Sequence, residues 1–166
     1  MHGEGIAGLL DAYGTLASLR KPELLDAKSF TPEEFRGLAA QWDDLVGRAA
    51  RVRATLRPEQ QDAFFQLVEH RILALANLYR MYSAAAWNAH YAGRDAGRAE
   101  ANAAEAERAF ARDAALARRY HEIAGGKWAG MMAQTHIGYH RLERSAGGRH
   151  AAAGARRRSG ERATRS

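Results

Sequence analysis

"FTPEEFRGLAAQWDDLVGRAARVRATL", residues Phe30–Leu56, is the stretch whose reading decides the fold. Its opening letters spell a helix start. Thr31 suits the N-cap, where its hydroxyl can accept a backbone N–H. Pro32 suits the first helical position, and Glu34 can return a bond to the cap's own N–H. From there Phe35, Leu38, Ala39, Trp42, Leu45, Val46, Ala49, Val52 and Leu56 recur at steps of three and four. That spacing keeps one helix face apolar for about six turns. Such a face must be buried against another element.

The segments on either side offer partners with the same period. Downstream, "LRPEQQ" breaks the pattern and restarts it at Pro58, again suited to a first turn. A third helix follows, with Phe64, Phe65, Val68, Ile72, Leu75, Ala76, Tyr79 and Tyr82 down one side. Leu67, Leu73 and Leu78 widen its stripe, which marks the central helix of a bundle. Gly93 and Gly97 signal a turn, and a fourth helix is expected with Ala99, Ala103, Ala106, Phe110, Ala114 and Ala117 on its buried face. Its small residues permit close approach. "AGG" at Ala124–Gly126 should stop it, Gly125 or Gly126 taking the left-handed cap position. Upstream, Ile6, Leu9, Leu10, Tyr13, Leu16 and Ala17 predict a first helix that "RKPELL" terminates at Pro22. No stretch alternates with period two. The expected fold is all-α, an up-and-down bundle of about four helices with short connections.

Composition divides the chain in two. Up to Glu143, 18 basic and 18 acidic residues balance; Arg144–Ser166 holds seven Arg and one acid, Glu161, and so carries the whole net charge of +6. The expected division is a helical bundle domain over residues 1–143 and a disordered Arg-rich tail over residues 144–166, since "SAGGRHAAAGARRRSGERATRS" has no large apolar side chain to bury. The absence of Cys excludes disulfides and thiolate chemistry. The opening "MHGEGIAGLLDAYG" does not read as a signal peptide, and no segment has the length of a membrane span.

Taken residue by residue, the chemistry is sparse. His136 and His140 stand at i, i+4, the spacing that puts two imidazoles on one helix face, but there is no HExxH pattern, no third ligand, and Gly138 lies between them. No metal or other cofactor is expected. His70, His90 and His121 are scattered one to a helix region. The pairs Glu33–Glu34, Asp43–Asp44 and Glu105–Glu107 lie beside Arg at surface-patterned positions and read as solvated helix faces. There is no GxSxG nucleophile, and the glycines of "AGGKW" follow a helix rather than the strand a phosphate loop requires. The Arg-rich tail allows a competing reading: a free-standing helical interaction module that binds nucleic acid or an anionic surface. The balanced body and the lack of interleaved aromatics in the tail count against nucleic acid.

One run stands apart from this plain pattern. "GGKWAGMMAQTHIGY", Gly125–Tyr139, resembles the signature "GGKWNHMMDQTHIGY" of glycoside hydrolase family 115, the xylan α-1,2-glucuronidases. The likeness extends back through "RKPELL", "FFQLVEHRILALANLY" and "FARDAALARRYHEIAGGKW" in family order, from about Leu9 to Tyr139. It implies kinship with an inverting, multidomain hydrolase that removes (4-O-methyl)glucuronic acid from glucuronoxylan. That family joins an N-terminal domain, a (β/α)8 barrel, a helical bundle and a C-terminal β-sandwich; its parent enzymes are secreted or periplasmic.

This chain resembles the bundle alone. A barrel takes on the order of 250 residues with alternating strands. The family's catalytic carboxylates sit in the barrel, so the resemblance transfers no catalytic residue here, and no hydrolytic activity is expected of this chain alone. What it does single out, as packing or pocket-rim candidates, are Lys127, Trp128, Met131, Met132, Gln134, Thr135, His136 and Tyr139. Ala129, Gly130 and Ala133 replace the family's Asn, His and Asp, removing three polar groups. The partners implied are the catalytic barrel and the β-sandwich of a parent enzyme, with homodimer contacts also in view, and no membrane. The likeness stops after Tyr139, where the composition turns to Arg, Ala and Gly. The coincidence leads to the expectation of a detached or frameshift-truncated bundle.

Overall fold

The structure, a computed structural model, describes residues His2–Met132. Gln134, Thr135, His136, Tyr139 and His140, together with the proposed tail over residues 144–166, lie outside the described residues. Every regular element among the described residues is helical, and the all-α bundle expected from periodicity is what the chain forms.

Helix α1 spans His2–Ser18, and a short 3-10 turn follows at Pro22–Leu24. Helix α2 is Pro32–Ala54, and its start is the expected capping box: the Glu34 N–H donates to Thr31 Oγ1 at 3.2 Å, while the Thr31 N–H donates to Glu34 Oε2 at 2.8 Å. Helix α3, Pro58–Phe64, opens on its proline as expected. It runs into a π-helical segment, Phe65–Glu69, and then into α4, His70–Tyr91. Because Phe64, Phe65, Glu69 and His70 all keep helical dihedrals, the three form one continuous rod. Helix α5 is Ala96–Gly126, capped by Asp95, whose side chain accepts from the Arg98 N–H at 2.9 Å.

Consecutive rods pack as antiparallel neighbours. Arg48 donates to the Gly8 carbonyl and Tyr13 meets Trp42 edge-on at 5.9 Å, so α1 runs against α2. Arg36 over Trp87, Asp43 with Arg80, and Arg53 with Glu69 step α2 down the third rod in the opposite sense. The Asn77 amide reaches the Ala109 carbonyl at 2.8 Å and the Asn88 amide the Ala99 carbonyl at 2.7 Å, which sets α4 against α5.

The core lies on the third rod, as its wide apolar stripe implies. Phe35, Trp42, Leu45, Phe65, Ile72 and Tyr79 are almost wholly enclosed, and each such side chain contributes about 1.5–3 kcal/mol by leaving water. Tyr79 meets both Trp42 and Phe35, with ring centroids 5.6 and 6.3 Å away. Two expectations fail. Phe110 is 49% exposed and Ala114 is also exposed, while Ala109 is 0% exposed: the α4 seam is close enough to admit only a methyl group. Leu67, in the π segment, faces solvent instead of widening the core stripe.

Candidate functional site at the end of the bundle

The glycine-rich run returns to the bundle that precedes it. Regular helix geometry in α5 ends at Ile123, whose ψ of 155° turns the chain outward. Ala124, Gly125 and Gly126 then take φ of 51°, 65° and 83°, three left-handed residues in succession. Glycine accepts this without strain; Ala124 carries a Cβ and costs about 1 kcal/mol there. The cost is offset in part by a tertiary bond, since the Ala124 N–H donates to Asp62 Oδ2 at 3.0 Å. Two tight turns follow, Ala129 N–H to the Gly126 carbonyl at 3.0 Å and Met131 N–H to the Trp128 carbonyl at 3.2 Å. The described chain then ends with the Met132 N–H donating to His121 Nε2 at 3.2 Å.

The folded-back run lays Trp128 and Met132 against a cluster of Phe65, Tyr120 and Ile123, with Leu73 beside them. Lys127 and Met131 remain outside; the Lys127 ammonium lies 5.0 Å from the Trp128 ring and Met131 is 60% exposed. The structure thus brings Trp128 and Met132 together, keeps Lys127 next to Trp128, and leaves Met131 on the surface.

An ion network that no sequence pattern signalled lies at the same end. Glu69, whose side chain is only 7% exposed, is met by Arg53 of α2 at 3.3 Å and Arg119 of α5 at 3.5 Å. The Arg119 guanidinium also stacks over Phe65 at 3.8 Å, and the His70 ring packs on Tyr120 at 4.7 Å. Burial pulls the Arg119 guanidinium below its ordinary range and repulsion from Arg53 adds to this, while Glu69 and Asp62 pull the other way. An arginine keeps its proton in proteins, so Arg119 stays charged. Arg53, Asp62, Glu69 and Arg119 were not singled out by sequence because their partners lie far apart along the chain.

The remaining candidates stay surface features. Glu33 and Glu34 are exposed; Asp43 pairs with Arg80, and Glu105 with Arg108 and Arg112. A shallow open groove between α1 and α2, lined by Thr15, Gln41, Asp44 and Arg48, contains one carboxylate, that of Asp44. Among the described residues no three His, Asp or Glu side chains converge as metal ligands. No helix among them is long and apolar enough to cross a membrane. No protein-family model matches the chain, and no curated protein matches it significantly.

Proposed function

We propose that this chain is a helical packing domain of the kind found in family 115 glucuronidases, structural in role, with hydrolysis belonging to a catalytic barrel that it accompanies. The family reading rests on the sequence of the run and of the helices before it. The observation that supports a packing role for the run is its seat: Trp128 and Met132 are spent on sealing the bundle's end over Phe65, Tyr120 and Ile123. A Trp packed in this way has part of its face covered by the bundle, whereas Met131 and Lys127 are exposed and left over for contacts outside it. Function follows from such a site and not from the bundle fold, which serves many purposes.

Two measurements test the proposal. Purified chain incubated with aldouronic acids should release no glucuronic acid, and turnover would overturn the packing role. The flanking DNA should encode a (β/α)8 barrel upstream and a β-sandwich downstream, in any frame; finding neither would sink the kinship.

A further inference from the structure

Helix α1 carries Gly3, Gly5, Gly8 and Gly14 within 17 residues, whereas α4, on the core rod, has no glycine in 22. Each glycine inside a helix disfavours it about two- to fivefold relative to alanine. Close packing does not require these four. A Cβ on Gly5 would meet Val52 at 3.5 Å and one on Gly8 the Arg48 guanidinium at 3.8 Å, both ordinary contacts. On Gly3 and Gly14 it would meet nothing within 4 Å, and none of the four has a left-handed backbone. The helix is weak where a methyl group would strengthen it at no steric cost.

Its seat is light as well. Among the described residues of α1, Leu9 and Leu16 alone are buried. Tyr13 meets Trp42 edge-on, Arg71 of α4 reaches the Tyr13 ring at 5.8 Å, and Arg48 donates to the Gly8 carbonyl at 3.2 Å. Beside Leu16 and Leu45 the seam stays open as the groove between α1 and α2. Beyond Ser18 the chain passes through exposed Leu19, Arg20 and Lys21 before buried Leu25 fixes it to the bundle. We propose that α1 is a strap that opens as one unit about Leu19–Lys21 while α2 to α5 stay folded. The ties of Arg53 to Glu69, Asp43 to Arg80 and Asn77 to Ala109 hold the other rods together without it. Opening withdraws Leu9, Leu16 and Tyr13 and bares the Trp42 edge and Leu45 on α2. Once released, a segment this short and glycine-rich does not keep its helix.

Amide hydrogen exchange of the full chain tests the strap. After correction for intrinsic rates, the amides of Leu9 to Leu16 should exchange together, at least about tenfold faster than those of Ile72 to Met81 in α4. N77A loosens the seam of α4 with α5 and should speed the α4 amides about fivefold or more, while α1 keeps its wild-type rate. G14A should slow the α1 amides about two- to fivefold. The strap is overturned by α1 amides as slow as those of α4, by an α1 rate that rises in step with α4 in N77A, or by no response to G14A. Should N77A not fold, low urea on the wild type decides. The α4 rates should then climb steeply and the α1 rates hardly at all, because the smaller opening exposes less surface. Equal slopes would overturn the strap.

Discussion

The Asn77 side chain crosses from α4 to donate a 2.8 Å hydrogen bond to the Ala109 carbonyl of α5, at a seam where Asn77 is buried and Ala109 fully enclosed. The Asn77 Oδ1 on the other side of the amide has no hydrogen-bond partner among the described residues. Replacing Asn77 by Ala should lower stability by about 1–3 kcal/mol. N77D should cost more, because it sets a buried carboxylate against a carbonyl oxygen. Urea unfolding at pH 7 measures both, and an N77D variant as stable as N77A would show that the amide does not tie the seam.

Two aromatics on different helices, Trp42 of α2 and Phe110 of α5, make opposite forecasts. Trp42 is 0% exposed against Tyr13 and Tyr79, so W42A should lose about 3–5 kcal/mol. Phe110 lies half in solvent, and F110A should stay within about 0.5 kcal/mol of wild type. Thermal unfolding of the pair checks the azimuth of α5 directly.

Glu69 has two guanidinium partners, and each should cover for the other. R53A and R119A should each be mild, whereas the double variant leaves a buried carboxylate alone and should cost about 3–5 kcal/mol. A double-mutant cycle should therefore return a coupling outside the range of independent sites. Additive losses would mean that one arginine does the neutralising by itself.

At the left-handed turn within the last residues of α5, neighbouring residues should respond in opposite directions to exchange between Ala and Gly. A124G relieves a Cβ at φ 51° and should raise stability by about 0.5–1 kcal/mol; G125A creates the same strain at φ 65° and should lower it by a similar amount. Denaturant midpoints of the two variants give the signs.

The capping box makes a statement about acid. Bonds from the Thr31 N–H and then the Thr31 hydroxyl hold the Glu34 carboxyl below its ordinary value of 4.5. The folded state therefore binds this proton less readily than the unfolded chain. The stabilisation is present above the ordinary glutamate value and is lost as pH falls through the lower folded one. E34Q should flatten the acid side of the stability profile, and a profile unchanged from wild type would mean the box contributes nothing measurable.

The rods could be read in advance because their signals are local. Thr31, Pro32 and Glu34 sit within one turn, and the stripe through Phe35, Trp42, Leu45 and Ala49 repeats within a single helix. The azimuth of α5 could not be, because alanines lie all round it and periodicity cannot choose among them. Phe110 looked like the core residue by size, but the seam needed the methyl group of Ala109. At the end of the bundle, Gly125 and Gly126 announced a helix stop correctly. The return of Trp128 onto Phe65 joins residues more than sixty positions apart, and the Arg119–Glu69 pair joins residues fifty apart.

The π segment has a consequence for how this chain tolerates changes of length. A π turn holds one residue more than an α turn, so α4 is rotated by about 100° from where α3 would have carried it. Removing one residue between Phe65 and Glu69 would restore an unbroken α-helix and leave α3 and α4 in nearly their present phase, because that lag of about 100° equals the rotation of one α-helical residue. Phe65–Glu69 is thus the place on the longest rod where residue count and rotational phase are uncoupled, and where the loss of one residue is absorbed without turning the helices on either side.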